Sequence, residues 1–163
     1  MVNDVAIINA SPFILLSKSG SIDLLPRLFK TVLMPKAVFA EIIIGHDAVS
    51  ELVEHVSRSW LDVIDVPTHT DVSVWNLGDG ETEVLSHAFS EKLHYLALID
   101  DRMARKCAES LGLRTMGTAG LIVSAKRNGL LPTVRPTIEN LIEKGLYLSE
   151  ELIRSIYVEA EEV

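Results

Sequence analysis

Cysteine, aromatic residues, positive charge and long apolar runs are all scarce in this sequence, and each shortage excludes something. The 163 residues hold one cysteine, Cys107, so an internal disulfide is impossible. The five histidines (His46, His55, His69, His87, His94) form no HxxxH pair and none sits beside a cysteine pair. A zinc site of the familiar spacings is therefore not expected. The longest apolar stretches, Val5–Ile8, Phe13–Leu16 and Ile42–Ile44, are far short of the ~18 residues a membrane span requires. Lysine and arginine number 15 against 23 aspartates and glutamates, a net charge of −8. Such a chain has no global field to attract nucleic acid, so binding of that kind needs a local basic patch or bridging cations. The opening MVNDVAIINAS has neither a basic start nor a long apolar segment, and a cytoplasmic protein with a reduced thiol is expected.

What is present is an ordinary globular composition. Hydrophobic residues make up 48% and charged residues 23%, with mean hydropathy +0.27, too apolar for a disordered chain. The length suits one domain over residues 1–163, in which 132–163, punctuated by Pro132, Pro136, Gly145 and Ser149, form a mainly helical C-terminal extension. Apolar runs predict strands over Val5–Asn9, Thr31–Met34, Leu61–Val66 and Tyr95–Ile99, with a short one near Arg114–Met116. Between them, helices are expected over 22–29, 36–44, 47–57, 81–92 and 101–111. Ser11-Pro12 opens a first helix with Ser11 as N-cap, and Thr118 is placed to cap another over Ala119–Asn128. Strands alternating with helices predict an α/β fold, a mainly parallel sheet covered on both faces.

In such sheets ligands bind outside the carboxyl ends of the strands. Asn9 and Ser11 follow the first strand; Asp100 and Asp101 follow the most apolar one. At 100° per residue, Glu81 shares a helix face with the apolar Val84, Leu85 and Ala88. Glu83 falls on the opposite face with Ser86, His87 and Ser90, where it is expected to meet water. Glu41 interrupts the apolar VFAEIII, and an acid there is costly unless paired or bound to a cation. A salt bridge explains any one such acid; several converging on one rim point to a hard divalent cation. Such an ion supports phosphodiester hydrolysis and bridges an acidic protein to an anionic substrate.

The order of motifs NASPFI (9–14), VFAEII (38–43), GDGETEVL (78–85), LIDDRMAR (98–105) and GTAGLI (117–122), with AKRNGLLPTVRP (125–136), resembles the PIN-domain superfamily, and within it the prokaryotic VapC-like branch. The resemblance implies a three-layer α/β/α fold and a Mg²⁺- or Mn²⁺-dependent endoribonuclease. It also implies a toxin held by an antitoxin and a homodimer. Carried over by position, Glu41, Glu81 (Glu83 as fallback), Asp100 and Asp101 match the catalytic, metal-binding acids, and Ser11 the small hydroxyl residue beside the first of them. The first acid itself is replaced by Asn9, whose amide oxygen can ligate a cation without charge. Asp4 precedes the strand and cannot take its place. A second reading follows: a catalytically impaired module that binds protein or RNA. A phosphatase on a doubly wound sheet lacks its expected nucleophile at Asn9.

Arg102, Arg105, Lys126 and Arg127, with Arg135, are candidate RNA contacts, although arginines flanking acids can equally hold the carboxylates. Trp60, Trp75 and Cys107 are read as packing residues, and Glu159–Glu162 as a frayed, solvated end.

Overall fold

The computed structural model describes residues 5–45, 49–91 and 95–162, Val53 by its backbone alone. Asp4, His46, Asp47, Lys92 and His94 lie outside the described residues. The elements run β1 (Val5–Ile8), α1 (Ala10–Lys18), α2 (Leu24–Leu28), β2 (Thr31–Pro35), α3 (Lys36–Gly45), α4 (Val49–Ser57), β3 (Leu61–Ile64) and α5 (Thr70–Ser73). They continue α6 (Asp79–Ser90), β4 (Tyr95–Leu98), α7 (Arg102–Ser110), β5 (Thr115–Met116), α8 (Thr118–Arg127), α9 (Arg135–Glu143) and α10 (Glu150–Glu159).

All strand pairs are parallel, in the order β3-β2-β1-β4-β5. β1 is central, with Ala6, Ile7 and Ile8 fully buried, as an apolar run covered on both faces requires. Its register pairs Ile7 with Leu33 on one side and Ile8 with Leu98 on the other. Helices flank the sheet in a three-layer α/β/α arrangement. α6 lies across β1, β2 and β4 between α3 and α7, while α1 packs with α8 and α9. Phe13, Leu16, Leu85, Leu98 and Ile99 fill the interior. Trp60 and Trp75 pack half-buried against the core. Burial raises the Cys107 thiol pKa and leaves it an unreactive small core residue.

Two helix caps differ from expectation, and α6 starts at Asp79, two residues before the expected Glu81. The first helix begins at Ala10 with Asn9, not Ser11, at the N-cap; Pro12 still fits because the first turn needs no intrahelical N–H donors. The cap of α8 is Gly117, and Thr118 is its first residue, its hydroxyl drawn to Asp100 instead of to its own helix. α5 was not foreseen; its cap is the imidazole of His69, which accepts from Asp71 N–H at 3.1 Å.

The C-terminal end is not frayed. The Glu162 carboxylate accepts from Lys126 Nζ (2.9 Å), Val134 N–H (2.7 Å) and Arg135 N–H (3.3 Å), and Arg135 lies 3.9 Å over the Tyr157 ring. The half-buried Lys126 ammonium and the open N-terminus of α9 supply the donors that a run of acids can satisfy.

Candidate active site

The strand order reverses across β1 and β4, whose carboxyl ends therefore open the crevice of this fold. Asn9 follows β1, its N–H donating to Leu98 O at 3.0 Å. Only 3% exposed, it stands at the N-cap of α1, yet its side chain makes no capping bond. Instead Nδ2 donates to Glu81 Oε1 at 3.1 Å, while Oδ1 is buried with no hydrogen-bond partner. Leaving a buried acceptor unmatched costs about 1–3 kcal/mol, a penalty that marks the atom as one a ligand would relieve.

Glu81 is placed in the first turn of α6, behind the Gly78 N-cap. Gly80 donates its N–H to Glu41 Oε1 at 3.2 Å, which holds α3 against the start of α6. A Cβ on Gly80 would meet Glu41 Oε1 at 2.5 Å and Asn9 Oδ1 at 3.1 Å, so only glycine keeps the small space that these two oxygens flank. Partial burial, then the nearby charge of Glu81, raise the Glu41 pKa; the Gly80 N–H opposes this and Asp79 adds to it.

Asp100 is fixed by Thr118, accepting from its N–H at 2.7 Å and from Oγ1 at 2.6 Å. Asp101 caps α7, accepting from Ala104 N–H at 2.9 Å. Asn9, Ser11, Glu81, Asp100, Asp101 and Arg102 line an open cavity of about 410 Å³, together with Gly145, Leu146 and Tyr147. Glu41 is not in its wall; it stands behind Gly80. Among the described residues, no three acid, histidine or cysteine side chains stand close enough to hold one ion together.

The remaining candidates fall elsewhere. Glu83 does not simply face water: it accepts from Ala37 N–H at 3.2 Å, in the first turn of α3. The helical wheel erred because α6 is packed on more than one face, with Ser86 1% exposed and accepting from His69 N–H. Lys126 and Arg127 lie at the far end of α8, about 13 Å of helix from its first turn. There Lys126 Nζ donates to Ala160 O (2.6 Å) and Glu162, and Arg127 pairs with Glu159 at 3.4 Å, so neither joins the rim. Arg102 and Arg105 are exposed on α7, and among the described residues neither guanidinium has a hydrogen bond or ion pair. Thr118, Gly80 and Tyr147 were missed; Gly117-Thr118 directly after a strand was the signal available for the first.

Carboxylates and one amide thus stand at the switch point of a doubly wound parallel α/β sheet. The chain belongs to the PIN domain family, which matches residues 5–162. PIN domains are generally nucleases and typically use divalent metals. No curated protein matches the chain. Among the described residues no helix is long and apolar enough to cross a membrane.

Proposed function

We propose that this PIN domain is a Mg²⁺- or Mn²⁺-dependent endoribonuclease. The observation that carries the reading is Asn9 Oδ1, buried without a partner and facing, with Glu41, the space that Gly80 leaves open. The donors around it are all oxygens, the set a hard divalent cation prefers. Magnesium is commonly held by one or two carboxylates and several waters, so a site without three converging acids still suits it. Asn9, Glu41 and Glu81 would hold the ion, with Asp100 and Asp101 across the cavity. When bound, it activates water and offsets charge on the phosphodiester oxygens. Thr118 keeps Asp100 aimed into the cavity, Ser11 orients water or a ligand at the mouth, and Arg102 and Arg105 engage RNA phosphates. The resemblance to VapC-like proteins supports the finer reading: the toxin of a toxin–antitoxin pair, an antitoxin partner, a homodimer and a cytoplasmic setting. Residues 1–163 are read as one domain with a helical extension from 132.

The test is RNA cleavage in Mn²⁺ and in EDTA, with Glu41→Gln and Asp100→Asn alongside. Loss of cleavage in EDTA and in both variants is expected; cleavage that survives either condition removes the mechanism.

One observation favours a second reading, a catalytically impaired module that binds RNA or protein. The Asn9 amide donates to Glu81, doing in neutral form part of a cation's task. Tight Mn²⁺ binding by the native protein, measured by calorimetry, rules that reading out.

A further inference from the structure

His69 organises α5 with its backbone and its ring together. Its N–H donates to Ser86 Oγ of α6 at 2.8 Å, and Ser86 is 1% exposed. Its carbonyl oxygen accepts from Val72 N–H (3.0 Å), Ser73 N–H (2.9 Å) and Ser73 Oγ (3.0 Å). Its imidazole Nδ1 accepts from Asp71 N–H at 3.1 Å and so caps the helix, while the ring stands edge-to-face against Phe89, centroids 4.5 Å apart. An accepting Nδ1 carries no proton, so this ring is neutral with its hydrogen on Nε2. The side chains that usually cap helices are Ser, Thr, Asp and Asn, none of which changes charge between pH 5 and 8; histidine does.

α5 leads directly to the candidate site. Val72 is fully buried and seats the helix on α6. Trp75 N–H then bonds Val72 O at 3.0 Å and Asn76 N–H bonds Ser73 O at 3.2 Å, with Asn76 in the left-handed conformation at φ 55°. Two residues further on is Gly78, the cap of α6, followed by Gly80, whose N–H holds Glu41. The titratable neighbour on the ring's own element is the exposed Asp71. Those of α6 are directed elsewhere: Glu83 to Ala37 of α3, and His87, with Glu91 beside it, to Tyr95.

We propose that His69 is a pH-operated latch on the candidate site: neutral, it caps α5 and holds the approach to α6; protonated, it releases the cap and slackens Gly78–Gly80, against which Glu41 is held. Protonation turns Nδ1 from acceptor into donor, so the ring and the Asp71 N–H present hydrogen to hydrogen. The Asp71 carboxylate then becomes the better partner for the ring. In a helix of four residues one cap is a large part of what fixes the turn, because so short a helix has little stability of its own. The stabilisation is present while the ring is neutral and is lost as pH falls. The latch does not depend on the nuclease reading, and it operates without metal or RNA.

The test is amide hydrogen exchange by NMR on the ¹⁵N-labelled full chain in EDTA, between pH 8 and pH 5, each rate divided by the intrinsic rate at that pH. Asp71, Val72 and Ser73 should lose protection about two- to thirtyfold toward acid, the fold-change of losing one helix cap. His69→Asn keeps a side-chain acceptor that does not titrate and should hold the protection constant. His69→Ala should show the acid level of protection throughout; if it fails to fold, the Asn variant decides alone. The Gly80 amide reports transmission to the site. Glu41 titrates in the wild type and in His69→Asn alike, so an acid-dependent difference between them at Gly80 belongs to His69. Curves for residues 71–73 that run parallel in wild type and His69→Asn, flat or falling together, overturn the latch. Equal Gly80 curves overturn its link to the site.

Discussion

Asn9 concentrates the chemistry at the smallest scale. In the folded chain it is both a donor that relieves Glu81 and an acceptor left unmatched, so its two ends ask for opposite replacements. Asn9→Asp removes the donor and places a carboxylate against Glu81 and close to Glu41, where like charges disfavour one another. The variant should melt at a lower temperature than the wild type in EDTA, yet gain more from Mn²⁺, because added ligand charge raises cation affinity. Thermal melts of both proteins with and without metal measure this sign reversal; an equal Mn²⁺ gain in both would mean position 9 does not touch the ion. Glu41 bears the other half. Its raised pKa means that ionising it opposes folding, so Glu41→Gln should melt slightly higher than the wild type at neutral pH in EDTA and lose that advantage as the pH falls toward the ordinary glutamate range. Asn9 and Asp100 were visible in the sequence because strand ends are legible from apolar runs, and Glu81 because it shares a helix face with Val84, Leu85 and Ala88. The role of Gly80 was not, since a close approach between side chains from three elements leaves no mark in a local pattern.

At the scale of elements, α3 and α6 hold each other by a reciprocal exchange. Glu83 of α6 accepts the Ala37 N–H at the start of α3, and Glu41 of α3 accepts the Gly80 N–H at the start of α6. Each helix thus supplies the anion that the other's N-terminus favours. Glu83 is accordingly a positioning residue for Glu41. Glu83→Ala should cost about 10–100-fold in Mn²⁺ affinity, as removal of a supporting shell typically does, whereas Glu83→Gln keeps an acceptor and most of the affinity. Calorimetric titration of both variants decides this; equal affinities for Glu83→Ala and wild type would refute the exchange. The strands and the fold class could be read because buried parallel strands are continuous apolar runs. Glu83 was assigned to solvent because the helical wheel assumes one buried face, and α6 is packed by α3, α5 and α7 besides the sheet.

At the scale of the whole molecule, the C-terminal end ties three segments together. Burial tends to raise the Glu162 pKa, but the Lys126 ammonium and the Val134 and Arg135 N–H groups outweigh it and hold the carboxyl below its usual range. A lowered carboxylate pKa contributes stability above the ordinary glutamate range that is lost as pH falls through the lowered value. Glu162→Ala should therefore melt a few degrees below the wild type at neutral pH, and the gap should close in acid. A gap independent of pH would assign the loss to packing instead of charge. This clasp escaped the sequence because its partners are 27 to 36 residues away, and a terminal acidic run looks the same whether docked or free. The proposed chemistry depends on a cation at the β1–β4 switch point. Anomalous scattering from crystals soaked in Mn²⁺ should show a peak in the space bounded by Asn9 Oδ1, Glu41 and Glu81. No peak there at a Mn²⁺ concentration that supports RNA cleavage, or a peak only at a distant surface acid, would contradict it.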